Sequence, residues 1–338
     1  MANIDRMRCT DAELEVLLHA FMYALCHANI DIAKFLSRKT VRKIPRSAGP
    51  LLFRHALTQR NAGAVRFLYA KRHQTNRTSC PFSLPNMTGT DNCTLIHSHE
   101  YINCTWPDGS ILHVIANLYD PDETEFPTEA MADMVLGWGA ELEAGGEPMN
   151  RSPLHITVEA GDMRLAKYLI NRGAAVNSTD YAARSPLFYA VMEADHSMAT
   201  LLLSREAQVN RRDTDRMTPL HMATSLSDVS MMWLLIEKYA EIDPTDHSAN
   251  TPLHIAATLE DAGPVKLLLE HGADSQLVNF HGNTPLDIAR EMGCKAAKRE
   301  LKYHLIRAYL RVCVDEILGV SSGLFLRLRY RITSDLCY

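Results

Sequence analysis

One tripeptide recurs through the chain with a fixed period. Ser152-Pro153-Leu154, Ser185-Pro186-Leu187, Thr218-Pro219-Leu220, Thr251-Pro252-Leu253 and Thr284-Pro285-Leu286 follow one another at intervals of 33 residues without a slip. A period of this length marks a stack of small units, each unable to bury its apolar side except against a neighbour. The residue types fit a helix start. Pro at the first helical position gives up no hydrogen bond and already holds a helical φ, and Ser or Thr before it caps the first turn. Beyond Leu154 the pattern predicts a first helix to about Ala160, a break at Gly161 and a second helix over Arg164 to Arg172. Gly173 and Gly272 would stop second helices by turning left-handed. Glu206 and Tyr239 stand at the same register, where a left-handed conformation costs about 1 kcal/mol or more.

The motif is longer than three residues. Thr218 to Ala223 and Thr251 to Ala256 both read Thr-Pro-Leu-His-x-Ala, Ser152 to His155 keeps its first half, and in Thr284 to Ala289 Asp287 replaces the His. This resembles the ankyrin family. The resemblance implies an all-α solenoid of helix-turn-helix units joined by short hairpin loops. It also implies that His113, His155, His221 and His254 join neighbouring repeats and do not form a metal array. Gly109 to Ala116 is a sixth copy without the Pro, followed by a second helix at about Glu129 to Leu136. Eight added residues around Tyr119 to Pro127, rich in Asp and Glu, predict an acidic loop between those helices. A weaker spacing of 32 residues pairs Asn29 to Leu36 with Asn61 to Leu68. The organisation read from these patterns is degenerate repeats over 12–70, an irregular insert over 71–104, ankyrin repeats over 105–304 and a helical cap or tail over 305–338.

Enzyme signatures are missing from this pattern: there is no phosphate-binding Gly-rich loop, no His-Glu-x-x-His and no Gly-x-Ser-x-Gly. The insert gathers Cys80, Cys93, His97, His99 and Cys104, ligand types suited to tetrahedral zinc, but no Cys-x-x-Cys pair seeds a site. The expectation is no metal and no cofactor, with a disulfide and a zinc site as the alternatives. The eight cysteines follow no disulfide framework, which predicts a reducing compartment, cytoplasmic or nuclear. No apolar run approaches the length of a membrane span, and charged residues precede any apolar run at the start. The net charge of −5 offers no general attraction to nucleic acid or to an anionic membrane. Residues 295–338 nevertheless carry nine Lys or Arg against four Asp or Glu.

What remains is binding to another protein. The resemblance implies contacts from the hairpin tips and from a concave face of first helices. By register the tip residues are Trp106, Tyr181, His247 and Phe280, with Arg184, Met217 and Asn250 three positions on, and with Glu159, Met192 and Ser225 on first helices. Aromatic side chains in a row suit the anchors of an interface. The resemblance also makes Asn177 and Asn210 candidates for asparaginyl hydroxylation. The alternative function is substrate recognition for a ubiquitin ligase. Tyr309, Cys313 and Ile317 are similar to an elongin-binding pattern that begins with Leu, and no Leu-Pro-x-Pro follows them.

Overall fold

The computed structural model describes residues 109–118, 127–137, 139–146 and 149–317, with side chains placed as far as residue 310. The repeats read in 12–70, the Cys/His insert, Trp106, most of the acidic loop and the tail beyond Ile317 lie outside the described residues. Among the described residues there are twelve helices and no strand, the all-α solenoid architecture expected. The chain divides into two compact units, Met1–Ala175 and Val176–Tyr338. The first holds α1 (Ile111–Ala116), α2 (Thr128–Gly137), α3 (Pro153–Glu159) and α4 (Met163–Asn171). The second holds α5 (Pro186–Met192), α6 (His196–Leu203), α7 (Pro219–Ser225), α8 (Val229–Glu237), α9 (Pro252–Ala256), α10 (Gly263–Glu270), α11 (Pro285–Glu291) and α12 (Lys295–Ile317).

Within the second unit the first helices α5, α7, α9 and α11 pack in series, and so do the second helices α6, α8, α10 and α12. The 33-residue period appears directly in the core. Leu187, Leu220, Leu253 and Leu286 of the tripeptide are buried, and Leu202, Leu235, Leu268 and Leu301 form the matching row on the second helices. Ala190, Ala223, Ala256 and Ala289 are fully buried, so the first helices meet at positions with room for only a methyl group. Replacing one of these leucines by Ala removes contacts on both flanking repeats, a change that typically costs about 2–5 kcal/mol. In the first unit, Leu112 and Leu154 hold the same place on α1 and α3.

The helix starts carry more than a cap. Backbone N–H groups of Ser110, Ser152, Thr218 and Thr251 donate to Nδ1 of His113, His155, His221 and His254 at 3.0–3.1 Å. With Nδ1 accepting, the imidazole proton sits on Nε2. That nitrogen donates to the carbonyl that ends the next hairpin, from His113 to Arg151 at 2.6 Å, His221 to Asn250 at 3.2 Å and His254 to Asn283 at 3.1 Å. One side chain thus fixes a helix start and the neighbouring repeat together. Phe188 takes this position in α5 and cannot accept, which leaves Ser185 Oγ buried without a hydrogen-bond partner. Asp287 takes it in α11 and accepts from Thr284 N at 3.0 Å and Oγ1 at 2.6 Å.

Second helices start on Asp162, Asp195 and Asp228, whose carboxylates accept from backbone N–H groups of the first turn. They end as the register requires, because Glu206 and Tyr239 adopt φ of 64° and 65° where Gly173 and Gly272 take 96° and 88°. The strain expected for two non-glycine residues is therefore present. α12 continues for 23 residues and runs through 304–305 without a break.

Burial holds His113, His221 and His254 below the usual imidazole pKa of 6.5. A depressed folded-state value adds stability above the unfolded pKa, and that stability is lost as pH falls through the depressed one. We expect urea melts to show unfolding free energy declining from pH 7 towards about pH 5. His221→Gln and His254→Gln should each cost about 1–3 kcal/mol at pH 7, and the double variant should depend on pH less steeply. An unchanged slope would place the acid sensitivity elsewhere.

Candidate protein-binding surface

The hairpin tips of the second unit are built by a row of acidic or amide residues. Asp180, Asp213, Asp246 and Asn279 each donate a backbone N–H to the carbonyl four residues on, at 2.9–3.1 Å. Their Oδ1 atoms accept the N–H of that same residue, Arg184, Met217, Asn250 or Asn283, at 2.7–3.1 Å. The residue before it lies at positive φ, 58° at Ala183, 60° at Arg216, 58° at Ala249 and 76° at Gly282. Tips are also tied to each other through the backbone. Thr214 N donates to Ala182 O at 2.9 Å, and His247 N to Asp215 O and Phe280 N to Ser248 O at 3.0 Å. These main-chain hydrogen bonds set the spacing of the tips whichever side chains stand at their first position.

Two of the predicted contact residues stand out to solvent: Tyr181 is 62% exposed and Phe280 is 76% exposed. His247 is exposed, but its Nε2 reaches Thr214 O at 2.8 Å and so folds back on the preceding tip. Arg184 is half-buried, with Nε 3.7 Å from the buried Asp213 carboxylate and its guanidinium over the Phe188 ring. Asn250 is engaged by its own hairpin and the next, donating to Asp246 Oδ2 at 3.2 Å and accepting from Asn279 Nδ2 at 2.9 Å. Met217 and Met192 are half-buried, and the exposed Ser225 donates to Met222 O at 2.8 Å. In the first unit, Glu159 pairs with Arg151 at 2.5 Å.

Sequence reasoning missed a second apolar component. Leu226 and Met292, the C-caps of α7 and α11, are 46% and 63% exposed. Exposed Glu193, Glu260 and Glu291 stand at or just beyond the ends of the first helices. The signal was available, since positions 226, 259 and 292 read Leu, Leu and Met at the 33-residue period. The row of Asp residues was equally regular. Among the described residues, no three His, Cys, Asp or Glu side chains gather as they would around a metal.

Asn177 and Asn210 occupy a buttress position beneath the tips. Asn177 Nδ2 donates to Glu206 O at 3.0 Å while its Oδ1 accepts from Gln208 N at 2.8 Å. Asn210 does the same with Tyr239 O at 3.3 Å and Glu241 N at 2.9 Å. Each amide therefore holds the left-handed, non-glycine helix end of the following repeat. An enzyme that modifies either Asn must first release both bonds.

A family model described as "Ankyrin repeats (3 copies)" matches residues 135–213, 154–246 and 220–306, together half of the chain. No curated protein matches it. None of the described helices is long and apolar enough to cross a membrane.

Asp243 stands where the register calls for a third Asn. Its Oδ2 accepts from Asp274 N at 3.0 Å, but its buried Oδ1 has no hydrogen-bond partner. A carboxylate cannot donate as the two amides do. Burial, joined by the Asp274 charge, raises its pKa above 3.8 against the opposing hydrogen bond from the Asp274 N–H. A raised carboxyl pKa favours the fold below the unfolded value, and that contribution is lost as pH rises through the folded one. Asp243→Asn should therefore raise stability at pH 7 by about 1 kcal/mol. The gain should shrink as pH falls towards 4 and the carboxyl acquires its own proton. Thermal melts at both pH values test this, and a variant no more stable than the wild type at pH 7 would refute the missing donor.

Proposed function

The chain belongs to the ankyrin-repeat family, and from that premise we propose that it is a protein-binding module that holds its partner on the tips and first-helix ends of the second unit. Ankyrin repeats generally mediate protein–protein interaction and typically lack enzymatic activity. The observation that carries the proposal is the exposure of Tyr181 and Phe280 on tips whose backbones are already fixed by neighbouring repeats. Rigid aromatic anchors lose little conformational freedom on binding, which is why such residues dominate interface energetics. Leu226 and Met292 extend the apolar surface, and Glu193, Glu260 and Glu291 surround it with negative charge. The partner segment suited to it has apolar side chains flanked by Lys or Arg. His247, Arg184 and Asn250 act through the scaffold, by keeping the tips in line.

A ligase-adaptor role has one supporting observation. α12 stays helical to Ile317, which puts Tyr309, Cys313 and Ile317 at successive intervals of four on one helix. Cutting the chain at residue 305 would sever α12 at the buried Leu305, so a point change is the cleaner probe. Copurification of elongin that is lost with Cys313→Asp would establish the adaptor reading.

For the main proposal, the partner is first identified by crosslinking through photoreactive groups placed at Tyr181 and Phe280. Tyr181→Ala and Phe280→Ala should then each weaken binding by about 2 kcal/mol or more, roughly thirtyfold, with melting temperatures unchanged. Unchanged affinity in both variants would remove the tips from the interface.

A further inference from the structure

We infer a second docking surface on the outward side of α12, fitted to an acidic amphipathic segment of another protein. α12 packs on α11 and α10 through Ala297, Leu301 and Leu305, which are buried and recur at intervals of four. That contact closes the end of the repeat core. A helix that only capped would present a polar side to water. Here Tyr303 is 60% exposed, Ile306 37% and Leu310 57%, at intervals of three and four that place them along one stripe away from the packed face.

The charges around the stripe have one sign in excess. Lys295, Lys298, Lys302 and Arg307 have no acidic partner among the described residues. The two nearby anions are already matched, Glu300 by Arg299 at 3.6 Å and Glu270 by Lys266 at 3.9 Å. Between α10 and α12 lies a cleft of about 330 Å³, lined by Leu269, Ala308 and Tyr303 and by both of those ion-paired glutamates, with Arg307 and Lys266 among its charged residues. Its volume suits one or two apolar side chains. A helix with carboxylates on one side and Leu- or Phe-like residues on the other would fill the cleft and neutralise the row of cations. This chemistry is the opposite of the tip surface, where acidic residues surround the apolar positions. The two surfaces therefore select different partners, and a chain carrying both can bridge them. An anionic membrane fits less well, because three apolar side chains give only a narrow stripe for insertion.

The test uses the full chain and a fluorescein-labelled amphipathic peptide with Leu on one side and Glu on the other. A control peptide has Lys in place of every Glu, and phosphatidylcholine vesicles containing phosphatidylserine supply the lipid arm. Fluorescence anisotropy should detect the acidic peptide and not the basic one, with affinity falling as salt is raised. Arg307→Glu should weaken binding about tenfold or more, and Tyr303→Ala should weaken it with no change in salt dependence. Both side chains are exposed, so melts of these variants should match the wild type. Hydrogen exchange should slow between Arg299 and Leu310 when the acidic peptide is bound. Tyr181→Ala and Phe280→Ala should leave this binding intact, which separates the outcome from that of the tip proposal. Equal binding of both peptides, binding of neither, insensitivity to Arg307→Glu, or vesicle binding without peptide binding would each overturn the inference.

Discussion

The bond on which the stack depends is the one from a buried imidazole to the carbonyl of the next hairpin. A histidine at the third position of the first helix can make it only while neutral, with Nδ1 accepting the N–H of the cap residue and Nε2 donating outward. Local helix initiation and long-range register thereby become one event, because the interaction that starts α7 or α9 also holds the hairpin some 29 residues later. Burial enforces the neutral state. The two departures from the pattern follow the same logic. Phe188 keeps the packing and leaves a hydroxyl orphaned, whereas Asp287 keeps the acceptor in the last first helix.

Above that foundation, scaffold and recognition are assigned to different atoms. Asp180, Asp213, Asp246 and Asn279 shape the tips, and backbone bonds from tip to tip space them. Those bonds do not depend on the side chain at the first tip position, where Tyr, Thr, His and Phe stand in successive repeats. Support is also placed where the backbone is strained. At the ends of the second helices the left-handed non-glycine residues Glu206 and Tyr239 receive Asn amides, while unstrained Gly272 lies at the register served by Asp243, which has no amide to offer. Stability here is a sum over neighbouring repeats, so weak and strong junctions can follow one another along the second unit.

Two surfaces of contrasting chemistry emerge from one regular scaffold. The tips and first-helix ends combine exposed aromatic and apolar side chains with acidic residues, while α12 joins an apolar stripe to cations that have no acidic partner among the described residues. Neither is a consequence of the repeat fold, which specifies only where side chains stand and leaves their identity open.

From sequence alone, the period, the helix pairs, the buried histidine row and the left-handed positions of Glu206 and Tyr239 were all legible, because each depends on residue type at a fixed spacing along the chain. The Asp row and the apolar positions 226, 259 and 292 had the same kind of signal and went unread. What the sequence could not tell was how differently the members of a register row are engaged. Tyr181, His247 and Phe280 share one position, yet the His247 ring turns back to Thr214 O of the preceding tip while Phe280 is 76% exposed, and Arg184 and Asn250 are engaged by residues 29 positions away. Whether a side chain is available for a partner is decided by its neighbour one repeat away, and only the tertiary structure brings the two together. The same holds for Asp243, whose substitution looks conservative until its second oxygen is found buried with no donor to meet it.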